Sequence, residues 1–191
     1  MIQRKGLILM TAVLTMILLL LTLFSPSSEA QVEVDPDQQY LLLAARRTGT
    51  MQEELDQAAT LGFRVVTSSP TSGDEVVILM KREQTDKYKY QLLATSRTST
   101  MQEELDAGAE AGFRFLSQTP ICKSRRFGTD EIVLVMEHSP NSDQRYEYKL
   151  LATSQTSTLQ DEITEEVTNG FSLAGIVSCY EHIVILERES T

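Results

Sequence analysis

One 17-residue string is written three times along this chain, and that recurrence limits what it can fold into more than any single residue does. Tyr40-Leu-Leu-Leu-Ala-Ala-Arg-Arg-Thr-Gly-Thr-Met-Gln-Glu-Glu-Leu-Asp56 returns as Tyr90-Gln-Leu-Leu-Ala-Thr-Ser-Arg-Thr-Ser-Thr-Met-Gln-Glu-Glu-Leu-Asp106. A looser copy follows, Tyr148-Lys-Leu-Leu-Ala-Thr-Ser-Gln-Thr-Ser-Thr-Leu-Gln-Asp-Glu-Ile-Thr164. Each copy runs on to a Gly-Phe pair (Gly62-Phe63, Gly112-Phe113, Gly170-Phe171) and ends in an aliphatic run: Val76–Met80, Ile132–Met136, Ile183–Leu186. A fixed self-similarity of this kind is internal duplication, and each copy is one supersecondary unit. The units are expected at residues 38–87, 88–145 and 146–191.

Local patterns indicate what each unit is. Tyr88, Tyr90, Leu92 and Ala94 alternate with Lys87, Lys89 and Gln91, the period of a strand. Thr50 and Thr100 precede Glu53 and Glu103 by three residues, the spacing of a capping box, with Thr158 and Asp161 a weaker version. Helices are therefore expected to start near residues 51, 101 and 159. Met51, Leu55, Ala58 and Ala59 share one helical face. Gly62 stands where a left-handed C-cap is needed, with Phe63 placed to fold back on the last turn. A short strand, a polar loop and the aliphatic strand complete a β-α-β-β unit. The fold class is thus α+β, three tandem units that each carry a small sheet and one helix. The continuous aliphatic runs predict strands buried on both faces. A single helix covers one face of a three-stranded sheet, so the other face must meet a neighbouring unit or a second chain. Phe63, Phe113 and Phe171 are expected to be buried.

Units that open on Tyr-x-Tyr-Lys, here Tyr146-Glu-Tyr148-Lys149 and Tyr88-Lys-Tyr90, and continue through a capped helix to Gly-aromatic resemble short bacterial domains of unknown function. Such domains occur singly in the cytoplasm and in tandem in exported proteins, and many have Trp where Phe63, Phe113 and Phe171 stand. The resemblance implies a fold and an exported setting. It implies no activity.

The N-terminus points to export as well. Arg4 and Lys5 precede an uncharged stretch from Gly6 to Phe24, Pro26 breaks it, and Ser28-Glu29-Ala30 supplies small residues for a signal peptidase. Residues 1–30 read as a cleaved signal peptide or, because the apolar stretch is long enough to span a bilayer, as an uncleaved anchor. Either reading puts residues 31–191 in the periplasm or outside the cell. The chain has 17 basic and 27 acidic side chains, a net charge of −10. That balance argues against nucleic acid, whose binding rests on Lys and Arg against phosphates, and against an anionic membrane surface.

Candidate chemistry is sparse. Cys122 and Cys179 lie nine and eight residues after Phe113 and Phe171, in matching loops, which suggests a disulfide between the second and third units. Free or intermolecular thiols, or a metal site completed by His138 and His182, are the alternatives. Arg47, Thr48 and Thr50, with Arg97, Thr98 and Thr100, are suited to an anion at a helix N-terminus, or else simply end strands and cap helices. The second unit is six residues longer than the first between the Gly-Phe pair and the aliphatic strand. This stretch carries Lys123, Arg125, Arg126 and Phe127, a basic, aromatic loop that is either a partner contact or a solvated excursion. There is no nucleophile elbow, zinc-protease motif or phosphate loop, and His138 and His182 are the only two imidazoles. The expectation is a non-catalytic exported binding module or scaffold of the bacterial envelope, without cofactor or metal. A small-ligand or anion-binding protein is the alternative.

Overall fold

The computed structural model describes residues 32, 34–83, 88–125 and 128–190. The expected signal segment lies outside the described residues. Among the described residues no helix is long and apolar enough to cross a membrane.

The fold is α+β, with three helices and three small antiparallel sheets. Strand β1 (Tyr40–Ala45) leads into α1 (Thr48–Thr60), then β2 (Phe63–Pro70) and β3 (Val76–Arg82). These strands form a first sheet in the order β1-β3-β2. Next come β4 (Lys89–Thr95), α2 (Thr98–Glu110), β5 (Arg114–Phe115), β6 (Ile121–Lys123) and β7 (Glu131–His138). The second sheet has the order β4-β7-β5, with β6 also pairing β7. Last are β8 (Arg145–Thr153), α3 (Thr156–Thr168), β9 (Ser172–Ser178) and β10 (His182–Ser190), in the order β8-β10-β9. The registers correspond: Tyr40 faces Lys81, Tyr90 faces Glu137, and Tyr148 faces Glu187.

The second sheet departs from a plain three-stranded unit because its strand after the helix is broken. The Thr119 amide donates to the Leu116 carbonyl, turning the chain outward. Pro120 then has no amide to offer a ladder. The Thr119 hydroxyl repairs the gap by accepting from the Val135 amide at 3.1 Å.

All three helices begin a turn earlier than the capping-box spacing predicts. The first intrahelical bonds run from the amides of Met51, Met101 and Leu159 to the carbonyls of Arg47, Arg97 and Gln155. Those three residues are the N-caps, extended in backbone and without a side-chain cap bond, so Thr50, Thr100 and Thr158 lie inside the first turn. No proline in these segments stops the helix from running back to them. The C-termini follow the reading closely. Gly62, Gly112 and Gly170 have φ of 84°, 86° and 90°, a region glycine enters without steric cost. The phenylalanines that follow are not equally buried. Phe63 is in the core, while Phe113 and Phe171 are half-buried. Each ring lies against a side chain of the last strand: Arg82 on Phe63 (4.4 Å), His138 on Phe113 (5.5 Å) and Arg188 on Phe171 (4.5 Å). Arg82 and Arg188 also donate to the C-cap carbonyls of Leu61 and Asn169, closing the negative helix ends.

Helices α1 and α2 sit between sheets. Helix α1 packs on β1 and on β4, and α2 packs on β4 and on β8. One core joins the first sheet and α1 to Tyr88, Tyr90, Ile121, Val133 and Val135 of the second. Another joins α2 to Tyr146, Tyr148, Ile183 and Ile185 of the third. A smaller core lies between the third sheet and α3. Central strands β7 and β10 are accordingly buried on both faces, as their aliphatic runs predict. In β3 only alternate residues are buried, and Val77 and Leu79 are half-open on the outer face. The two-face expectation fails there because no described residue covers that side of the first sheet.

Candidate functional site

The side chains with the most organised chemistry hold one layer to the next. Gln52 follows a buried methionine on α1 and turns away from its own sheet. Its Nε2 donates to the Tyr90 carbonyl at 2.9 Å, and the Leu92 amide donates to its Oε1 at 2.7 Å. Gln102 does the same one layer on, donating to the Tyr148 carbonyl at 3.0 Å and accepting from the Leu150 amide at 2.7 Å. Strands β4 and β8 are sheet edges, and an edge presents unpaired amides and carbonyls. A primary amide matches one donor–acceptor step of that edge, so each glutamine satisfies it with a two-bond fork.

A second link is ionic. Arg64, just after the first Gly-Phe pair, donates from Nη2 to Glu137 Oε1 at 2.8 Å and from Nε to Oε2 at 3.0 Å. Arg114, after the second pair, donates to Glu187 Oε1 at 2.7 Å. Glu137 is buried, and a buried carboxylate is tolerated only when paired and hydrogen-bonded. The Tyr90 hydroxyl donates to it at 3.0 Å and accepts from the Val65 amide at 3.1 Å. The Tyr148 hydroxyl accepts from the Phe115 amide at 2.8 Å. Burial and the charge of Glu137 push the Tyr90 phenol up, and burial pushes Tyr148 up. Both hydroxyls thus stay protonated and neutral near neutral pH. The hydrogen bond to Glu137 raises Arg64, keeping its charge fixed.

A third link is covalent. Cys122 on β6 and Cys179 in the β9–β10 turn form a disulfide, with Cα atoms 5.4 Å apart. Their thiolates are consumed, so the metal reading with His138 and His182 has no sulfur ligands; His182 instead lies 3.0 Å from the Ser178 hydroxyl across the turn. Among the described residues no cluster of three metal-ligating side chains occurs. A disulfide belongs to an oxidising compartment, which is compatible with export. The residue after each cysteine reaches back a layer: Lys123 Nζ donates to the Arg46 carbonyl at 2.6 Å, and the Tyr180 hydroxyl to the Ser96 carbonyl at 2.7 Å.

Lys123, read from the sequence as part of a loop tip, is therefore buried in a joint, with Glu131 also 3.5 Å away. Arg125 is exposed and pairs with Glu131 at 3.1 Å, while Arg126 and Phe127 lie outside the described residues. Arg47 and Arg97 are exposed N-caps of two different helices, with Thr48 and Thr50, and Thr98 and Thr100, in their first turns. A cleft of about 500 Å³ opens beside the ionic link, lined by Arg64, Arg114, Ser117, Gln144, Tyr146 and Glu187 among others. Both of its guanidiniums already face carboxylates, which lowers its attraction for a further anion.

The forking glutamines and the Arg–Glu links were not singled out in the sequence. Their signal was there: Gln recurs at 52, 102 and 160, between residues that pack inward. Comparison with known protein families, curated proteins and solved structures finds no match to this chain.

Proposed function

We propose that this chain is an exported, non-catalytic repeat protein: three β-α-β-β units, stacked and cross-linked, that serve as a binding scaffold in a bacterial envelope. The observation that carries the reading is the recurrence of one joint. The glutamine fork, the Arg–Glu pair and the tyrosine hydroxyl bond each occur at corresponding positions from the first sheet to the second and from the second to the third. Polar groups spent on holding layers together are unavailable as acids, bases or nucleophiles. The disulfide supports residence outside the cytoplasm, and the N-terminal segment supplies the route.

The partner is a protein or another envelope component, met in part through the segment around Arg125, Arg126 and Phe127. Native mass spectrometry of the protein recovered from the envelope tests this. The expected species has one disulfide, a mass beginning at Gln31 and no bound cofactor. A turnover-dependent adduct or a stoichiometric organic cofactor would overturn the non-catalytic reading.

Anion binding at Arg47 and Arg97 is the second reading, favoured by the lack of any side-chain cap bond on α1 and α2. Titration calorimetry with inorganic phosphate tests it. Saturable heat that disappears in an Arg47→Ala, Arg97→Ala variant would support it, and no heat would end it.

A further inference from the structure

The two ends of the stack carry unused halves of the joint that holds its middle. On the outer face of the first sheet, Tyr40 and Leu42 stand where Tyr90 and Leu92, and Tyr148 and Leu150, stand in the other sheets. Tyr40 is 53% exposed, against 4% for Tyr90 and 5% for Tyr148, and Leu42 is 63% exposed. At the opposite end, Gln160 takes the place of Gln52 and Gln102, and among the described residues its side chain bonds only to Thr164 of its own helix. Leu173 takes the place of Val65 and Phe115; it is 64% exposed where they are 7% and 3%. Val167, at the position of buried Ala59 and Ala109, is also open. Stacked-repeat proteins keep copies apart with polar end caps; among the described residues the outer face of the first sheet is largely apolar, while α3 presents Gln160, Thr164 and Thr168 around the exposed Val167.

We propose that these ends bind each other between copies of this chain, α3 and β9 of one copy seating on the outer face of β1 and β3 of the next. This rests on reading the chain as three corresponding units, and not on any partner at the 123–127 segment. Gln160 then forks onto the Tyr40 carbonyl and Leu42 amide, and the Tyr40 hydroxyl accepts from the Leu173 amide. Val77 and Leu79 lose their remaining water, which accounts for an aliphatic run in β3 whose outer half no described residue covers. The residues that differ at the ends are compatible. Lys81 replaces the glutamate of the other sheets and Ser172 replaces the arginine, so the contact lacks the ion pair but also avoids a like-charge clash. It is accordingly weaker than the internal joints. Gln38 now donates to the Tyr40 carbonyl at 2.7 Å and gives way to, or shares that oxygen with, Gln160. Because the two surfaces differ, the association is heterologous and does not close on itself at a dimer.

The test uses the chain as recovered after export, in physiological salt so that its acidic net charge is screened. Sedimentation from micromolar to millimolar concentration should show an open series of dimers and longer species. Leu42→Lys blocks one end and Leu173→Lys the other. Both sites are exposed, so both variants should keep the wild-type melting temperature and disulfide. Each alone should weaken association at least about tenfold, the equivalent of about 1.4 kcal/mol. Mixed, they should form a one-to-one complex, because each retains the end that the other lacks. A photo-crosslinker at Tyr40 should reach Gln160 or Leu173 of another copy. Monomers at every concentration, cross-links from Tyr40 to Tyr40, or cross-links to residues 1–30 of the same chain would each overturn the proposal while leaving the three-unit reading intact. Failure of the mixed variants to pair would also overturn it.

Discussion

Replacing Cys122 and Cys179 together by serine should lower stability by about 3–4 kcal/mol, and the figure follows from chain connectivity. The bond closes a segment of 57 residues. On the loop-closure relation, a ring of this size costs the unfolded chain about 14 cal/mol/K, or about 4 kcal/mol at 25 °C. The third sheet stays docked without the bond, so the loss falls on the unfolded chain, whose residual compactness trims the figure. Phe115 packs on Gly175, the Tyr148 hydroxyl holds the Phe115 amide, and Gln102 holds the edge of β8. The cysteines are half-buried, so serine adds little of its own. Urea unfolding followed by circular dichroism, on oxidised wild type, reduced wild type and the double serine variant, measures the difference. The reduced and serine forms should agree with each other and unfold at markedly lower urea. The native spectrum should persist, because the sheets are held by more than the bond. A loss under about 0.5 kcal/mol would refute the reasoning, since the loop would then not be open in the unfolded state. Loss of the fold itself would refute the claim that packing and forks hold the third sheet.

Three further outcomes are expected. Gln52→Ala and Gln102→Ala should each cost about 1–2 kcal/mol in the same unfolding assay, because each orphans a carbonyl and an amide of a strand edge, whereas Gln160→Ala should change a monomer by less than about 0.5 kcal/mol. Gly175→Ala should destabilise by about 1–3 kcal/mol, as an added Cβ would lie 2.9 Å from Phe115 Cε1 between two sheets; calorimetry that finds it neutral would contradict the contact. The hydrogen bond from Lys149 holds the Glu166 carboxyl below its ordinary value of 4.5, so the stability it contributes is complete above that value and is lost as pH falls through the lower folded value. Lys149→Met should flatten that acid limb of a stability–pH curve; Glu54 and Glu104, raised by burial, act in the opposite sense and remain in the variant.

What could be read ahead of the structure was what local chemistry dictates. The α+β class, the three helices, the left-handed C-cap at Gly62 and the pairing of Cys122 with Cys179 follow from periodicity, from steric freedom and from an even pair of cysteines, although Cys122 stands on strand β6 and not in a loop matching that of Cys179. The errors fall where a residue's role depends on its partner. A Thr-x-x-Glu spacing is satisfied equally by a cap and by a first turn, and here the helix runs on to Arg47 and Arg97. Lys123 looks like surface by type, yet its ammonium finds a carbonyl in the preceding layer and its stem is buried. Phe113 and Phe171 stay half-open because the side chains laid on them are themselves at the rim. Helical periodicity says that Met51 and Leu55 face inward; it cannot say that Gln52 belongs to the next sheet.

That last point is the central claim: α1 and α2 are each shared between their own sheet and the one after it. Nuclear Overhauser contacts of the glutamine side-chain amides test it most directly. The protons on Gln52 Nε2 should show cross-peaks to Tyr90 and Leu92, and those of Gln102 to Tyr148 and Leu150, surviving in the double serine variant. Cross-peaks confined to each glutamine's own sheet, Gln52 to β1 and Gln102 to β4 alone, would contradict it and describe three self-contained units on a string.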